Sequence, residues 1–181
     1  MFKTCTLTLT LLLTMVSAFA TAPAQEKQET KKETRPIDML AWLNGGVWIA
    51  DTSALGQGMK QIETRYNWSD NGAFLRFNTH FVMDKGTLKN YDGQFFWDRE
   101  LNALEVWYMD ASNNITKGPV KIDGNTMQID FRAHDFEDKM ANLRVTVLRR
   151  TSVHYTWQLQ EQTDSGWKQL MQLEYMRNAA N

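Results

Sequence analysis

Cysteine is the scarcest residue in this chain: one copy, Cys5, in 181 residues. It lies near the start of an apolar N-terminal run, so everything downstream is free of thiols. Disulfides, thiolate metal sites and cysteine catalysis are excluded there by absence. Charge of one sign is lacking too. Twenty Lys and Arg face 21 Asp and Glu, a net charge of −1, which removes the electrostatic footprint of a dedicated nucleic-acid binder. The three histidines, His80, His134 and His154, form no i, i+2 or i, i+4 pair that would pre-form a metal site. No Gly-x-Ser-x-Gly elbow occurs, and no helix bearing Lys-Ser or Lys-Thr follows Gly56-Gln57-Gly58. Serine-hydrolase and phosphate-loop chemistry therefore have no support. What remains is 43% hydrophobic and 23% charged, an ordinary globular composition that rules out wholesale disorder.

The first residues read as an address. Met1-Phe2-Lys3 gives a positive start, Leu7 to Ala20 is apolar with small hydroxyl interruptions, and Ala18-Phe19-Ala20 supplies the small-x-small pattern of a cleavage site. A signal peptide over 1–20 is expected, cut before Thr21, with Ala22-Pro23-Ala24 as a second site. The run is short for a ~20-residue membrane span. Cys5 stands at the wrong end for lipid attachment. Residues 21–35 hold four basic and three acidic side chains and no aromatic, so a solvated tether is expected, with no apolar face for membrane insertion. The chain is thus expected to be periplasmic or secreted, with no stable membrane insertion after cleavage. The folded domain is placed at 36–181, where the net charge becomes −3 and 19 of the 21 aromatic residues lie.

That domain reads as a β-meander. Pro36 opens a short helix whose apolar face is Ile37, Leu40, Ala41 and Trp42, and Asn44-Gly45-Gly46 ends it. From Val47 the period becomes two. Leu75-Phe77-Thr79-Phe81-Met83, Met127-Ile129-Phe131-Ala133 and Val153-Tyr155-Trp157-Leu159 each alternate with polar residues, as half-buried antiparallel strands do. Nine turn signals, from Gly56-Gln57-Gly58 to Asp164-Ser165-Gly166, punctuate these runs, several with the Asn/Asp-Gly chemistry of tight hairpins. The expected fold is all-β: a closed up-and-down antiparallel barrel of about ten strands with a short N-terminal helix, because closure removes the exposed edges. Greek-key links, which a sandwich would need, are not found.

Gly46-Val47-Trp48, directly after the helix and opening the first strand, resembles the Gly-x-Trp signature of lipocalin and wider calycin barrels. The rhythm of Tyr66-x-Trp68, Gly72-Ala73-Phe74-Leu75, Trp97-Asp98, Trp107-Tyr108 and Glu174-Tyr175-Met176-Arg177 is similar to that of the uncharacterised bacterial lipocalin-like proteins. The resemblance implies a barrel with an internal cavity, closed at its base by Arg177 across Trp48, a cation–π contact of about 0.5–2 kcal/mol. It implies no particular reaction. A haem barrel of the nitrobindin type is similar in layout, but the last strand here has no His and offers only Met171 and Met176. No cofactor is therefore expected.

Little catalytic chemistry is visible. The three histidines fall on polar strand faces, which half-buried strands turn to water. His134-Asp135-Phe136-Glu137-Asp138 lacks the glycine and alternate ligands of a calcium loop. Glu63, Glu105, Asp130 and Glu174 lie mid-strand and would act as acid or base only inside an apolar lumen; outside, they pair with Arg65, Arg132 or Arg144. Asn67-Trp68-Ser69 and Asn114-Ile115-Thr116 match the glycosylation sequon, which matters only in a eukaryotic host. The positive signal is aromatic. Tyr66, Trp68, Phe77, Phe81, Phe95, Trp97, Tyr108, Phe131, Tyr155 and Trp157 fall on apolar faces that converge in a closed meander. Ten strands make a wider interior than eight, so these rings are expected to line a lumen that binds a hydrophobic or aromatic small molecule in a monomer or weak oligomer. Two other readings stay open: an enzyme acting on a lipophilic substrate, and a cell-envelope interaction module using Phe96, Trp107, Leu148, Leu170 and Met176 as an apolar outer patch.

Overall fold

The computed structural model describes residues 34–56, 58–134 and 139–178. The expected signal peptide, the tether up to residue 33 and the acidic turn at 135–138 lie outside the described residues. Ten strands follow in order: β1 (Val47–Asp51), β2 (Met59–Trp68), β3 (Phe74–Met83), β4 (Gly86–Asp98), β5 (Ala103–Asp110), β6 (Ile115–Asp123), β7 (Thr126–His134), β8 (Met140–Arg149), β9 (His154–Thr163) and β10 (Gly166–Asn178). Each pairs antiparallel with the next, and β1 pairs with β10, so the sheet closes into an up-and-down barrel.

Alternation sets the faces. Trp48 on β1, Ile62 on β2, Leu75 on β3, Phe95 on β4, Val106 on β5, Ile129 on β7, Val145 on β8, Tyr155 on β9 and Leu173 on β10 are all buried. Their strand neighbours on either side carry mostly polar, more exposed side chains, as a period of two requires. Register slips at Asn90 on β4, opposite Thr79/His80, and at Leu170 on β10, between Gln169 and Met171, and each bulge re-aims the side chains beyond it. Val153 was expected to open a strand with Tyr155. It lies instead in the preceding turn, 45% exposed, because β9 begins at His154 and the Val153 carbonyl accepts the Arg177 N–H at 2.8 Å.

The helix at the start is 3₁₀ over Pro36–Leu43. With three residues per turn the buried face is Ile37, Leu40 and Leu43, all at 2% exposure or less, while Ala41 points to solvent. The apolar face expected at α-helical spacing is therefore corrected to a spacing of three. This segment lies against β3 and β4. Arg35 anchors its first turn, pairing with Asp38 at 2.7 Å and donating to the Gly72 carbonyl at 2.8 Å.

Connectivity gives the barrel two ends. The base carries the 3₁₀ helix and the turns at 69–73, 99–102, 124–125 and 150–153; the mouth end holds the links at 84–85, 111–114 and 164–165, the described residues 52–56, and the facing ends of β7 and β8. β1 is only five residues long and pairs with β10 solely through Tyr175–Asn178, so the wall beside β10 is lower toward the mouth.

Candidate functional site

A cavity of about 530 Å³ occupies the barrel interior. It runs from Tyr175, Ile62 and Val147 up to a rim at Asp110, Asn114, Ile115, His134 and Met140. Of the ten rings expected in the lumen, Tyr66, Phe77, Phe81, Phe95, Tyr108, Phe131 and Trp157 line it. Five of them form a chain: Tyr66 and Phe77 are 5.9 Å apart between centroids, Phe77 and Phe95 5.4 Å, Phe77 and Tyr108 6.2 Å, and Tyr108 and Phe131 6.2 Å. Trp68, Trp97 and Tyr155 do not line it. Trp68 pairs with Leu75 and Trp97 with Leu104 at the base end of their strands, and Tyr155 is 2% exposed beneath the floor. Alternation places a side chain inside a barrel but does not state its height along the axis.

Below the cavity the interior is solid. Trp48 has no exposed surface and donates its indole N–H to the Leu43 carbonyl at 2.8 Å. The Arg177 guanidinium carbon stands 4.5 Å from the Trp48 ring centre, and Arg177 also donates to the Trp42 carbonyl. Trp42 meets Trp48 and Tyr155 edge-on at 5.7 Å each, and Tyr155 stacks on Tyr175 at 4.8 Å with 16° between planes. Arg149 lies 5.4 Å from the Trp42 ring centre. Burial, and then the like charge of Arg149, pull the Arg177 guanidinium below its usual pKa. Gly46 is required here. Its φ is +71°, and a Cβ would sit 2.8 Å from the Asn178 carbonyl oxygen and 3.2 Å from Arg177 Cγ.

The cavity wall also carries hydroxyls that the aromatic count does not reveal. Thr79 and Thr116 line it together with Tyr91 and Tyr175. Thr64 and Thr79 share a hydrogen bond at 3.0 Å. The Tyr66 phenol lies beside that of Tyr155, Tyr175 beside Thr64, and Tyr108 beside Thr116. Tyr66 and Tyr108 keep some open surface because each ring faces the cavity, yet the wall still strips their water. Burial pushes Tyr66 up to about 12 and drives Tyr91, Tyr108, Tyr155 and Tyr175 above the ordinary phenol value. All five phenols therefore stay neutral and protonated through the physiological range.

Space in the wall depends on glycine. Gly93 on β4 points inward where a Cβ would lie 2.5 Å from the Trp107 carbonyl oxygen and 2.7 Å from Phe77 Cζ. The small residue lets the Phe77 ring cross the strand. Tyr91-x-Gly93-x-Phe95-x-Trp97 alternates in the sequence, so Tyr91 and Gly93 were accessible to the same reasoning that found Phe95. Leu170 was expected on the outer patch. The β10 bulge turns it into the cavity lining. Of the remaining patch residues, Phe96 and Trp107 lie on adjacent strands, while β6 and β7 separate them from Leu148 and β1–β3 from Met176.

None of Glu63, Glu105, Asp130 and Glu174 lines the cavity. Glu63 pairs with Arg65 at 3.2 Å, and Arg144 grips Asp130 with two bonds at 2.6 and 3.0 Å while its guanidinium covers Trp167 at 4.0 Å. Arg144 holds the Asp130 carboxyl below the usual range. Glu174 takes His154 at 2.8 Å and Thr156 at 2.9 Å, and these bonds outweigh its partial desolvation to lower its pKa. Glu105 is only 5% exposed, beside Phe96 and Pro119. His80 sits opposite Glu63, and His134 stands at the rim. Among the described residues no group of three His, Cys, Asp or Glu side chains is placed to hold a metal ion. No helix among them is long and apolar enough to cross a membrane. No protein-family model matches the chain, and no curated protein matches it.

Proposed function

We propose that this chain is an exported, lipocalin-like binding protein that holds a hydrophobic or aromatic small molecule in its lumen. The observation that carries this reading is the cavity of about 530 Å³ walled by nine aromatic rings and reached from the mouth. Its volume lies within the roughly 300–1,000 Å³ range of small-molecule sites, and its wall has their composition, mainly apolar with a few placed polar groups. Affinity comes from apolar surface removed from water. A ligand burying ~200 Å² gains about 5 kcal/mol at ~25 cal/mol per Å², before the cost of losing its freedom. Methionines at the rim and upper wall, Met140 and Met171, suit ligands of varied outline because an unbranched thioether adapts its shape.

The test is a titration of the purified protein with a panel of lipophilic fluorescent probes, followed through quenching of tryptophan emission and by calorimetry. Saturable one-to-one binding with a negative heat-capacity change is expected. A panel that gives no saturable change refutes lumenal binding.

A further inference from the structure

The lumen's hydrogen-bonding groups are unevenly balanced. A hydroxyl pair holds two protons and closes one hydrogen bond, so one proton is left without an acceptor. Thr64 with Thr79, 3.0 Å apart, is such a pair. The phenols of Tyr66, Tyr91, Tyr108 and Tyr175 add further protons along the same wall. The Trp157 indole N–H, also on the wall, can only donate. Acceptors are missing at the same depth. Among the described lining residues, carboxylate and amide oxygens occur only at the rim, on Asp110 and Asn114, and Asp110 already accepts from Ser112 and Asn114 at 2.8 to 3.0 Å. An empty lone pair is tolerated better than an orphaned proton in a dry wall. The ionisable members of the lining, Asp110, Arg132 and His134, also stand at the mouth end of their strands. Nothing below them compensates a buried charge.

We infer that the lumen selects a neutral, rigid lipophile carrying a hydrogen-bond-accepting oxygen, of the ketone or quinone class, whose carbonyl takes the spare phenol and indole protons. This rests on the lumenal binding proposed above and names its ligand class. The rings clasp the flat apolar body, and the oxygen fixes its orientation. Because the phenols are held neutral by burial, the donors persist into alkaline solution, and selectivity for the carbonyl is flat between about pH 6 and about pH 9.

Fluorene and fluorenone test this as a matched pair, sharing one three-ring skeleton and differing by the carbonyl. Fluorenone is the less hydrophobic, so a purely apolar cavity binds it more weakly. The donor-rich wall binds it more tightly, by about tenfold, the effect of one good hydrogen bond in a dry site. Tyr66→Phe and Tyr108→Phe, each checked for folding by circular dichroism, are expected to reduce that preference, read in each variant as the ratio of fluorenone to fluorene affinity, from about tenfold toward unity. If one variant fails to fold, the other carries the comparison. The infrared carbonyl band of fluorenone bound to the unaltered protein, which needs no variant, is expected to shift to lower frequency. Fluorene binding as tightly as fluorenone, with the carbonyl band where it stands in hydrocarbon solvent, overturns this inference and leaves lumenal binding intact. Failure of both probes to bind overturns both.

Discussion

Inward-facing positions behave differently at the two ends of this barrel. At the base, Trp48, Leu75 and Leu40 have no exposed surface, and the Trp48 indole N–H is taken by the Leu43 carbonyl. Toward the mouth, Phe81, Trp157 and Leu159 occupy equivalent inward positions but stay half-buried around open volume. The strands and their alternation are shared, so the sheet is not the cause. The difference lies in what covers each end. The 3₁₀ helix over Pro36–Leu43, Trp42 and the Arg177–Trp48 contact fill the base, whereas the described residues at the mouth form turns, a single 3₁₀ turn over Ser53–Leu55 and the end of a five-residue strand that stops short of the rim. A base built for stability and a mouth built for occupancy should therefore respond differently to substitution.

The largest effect is expected at Trp48. Trp48→Ala should cost about 3–5 kcal/mol in denaturant unfolding, since a fully buried indole leaves a cavity that cannot collapse. Phe81→Ala should cost less than half of that, because the ring already borders open volume, yet it should change probe affinity. Equal losses from the two would break the comparison.

Next is Gly93→Ala. The new methyl meets the Trp107 carbonyl oxygen at 2.5 Å, which is backbone and cannot swing away. A destabilisation of about 1–3 kcal/mol is expected by chemical unfolding, with weaker probe binding as Phe77 is displaced into the cavity. A neutral substitution there would show that the wall gives more easily than its geometry implies.

The smallest effect concerns the outer surface. The Asp130 carboxyl is held low by Arg144, so its folded pKa lies below its unfolded one. Its contribution is present above the unfolded value of about 4 and is lost as pH falls through the folded value. Asp130→Asn should therefore lower stability by less than about 1 kcal/mol near pH 6, since the carboxylate is partly solvated, and by nothing measurable near pH 2. Probe binding should be indifferent to it at both.

Much of this architecture was legible from the residues. Strict alternation from Leu75 to Met83 and from Met127 to Ala133, with nine turn signals, is enough to specify a closed meander, because a period of two and short links leave few other solutions. Seven of the ten rings that alternation turned inward border the cavity. Trp68, Trp97 and Tyr155 do not, because depth along the axis depends on register and stagger across all ten strands, which no single strand encodes. Leu170 was misplaced for a related reason: one bulged residue reverses the faces beyond it. The threonines of the wall were only partly legible. Thr79 stands in the inward run of β3, but its partner Thr64 and the lining position of Thr116 emerge only in the closed barrel.

The most direct test of an occupied mouth is to fill it. Ala133 lines the cavity on β7 near the rim, half-buried, and Ala133→Trp would put an indole into the space a ligand needs. The variant is expected to keep a near-native unfolding midpoint and to lose at least about tenfold in calorimetric affinity for fluorenone, roughly the contribution of one displaced ring contact. A folded Ala133→Trp protein that binds fluorenone as tightly as the parent would contradict the account, because the ligand would then lie somewhere other than the lumen.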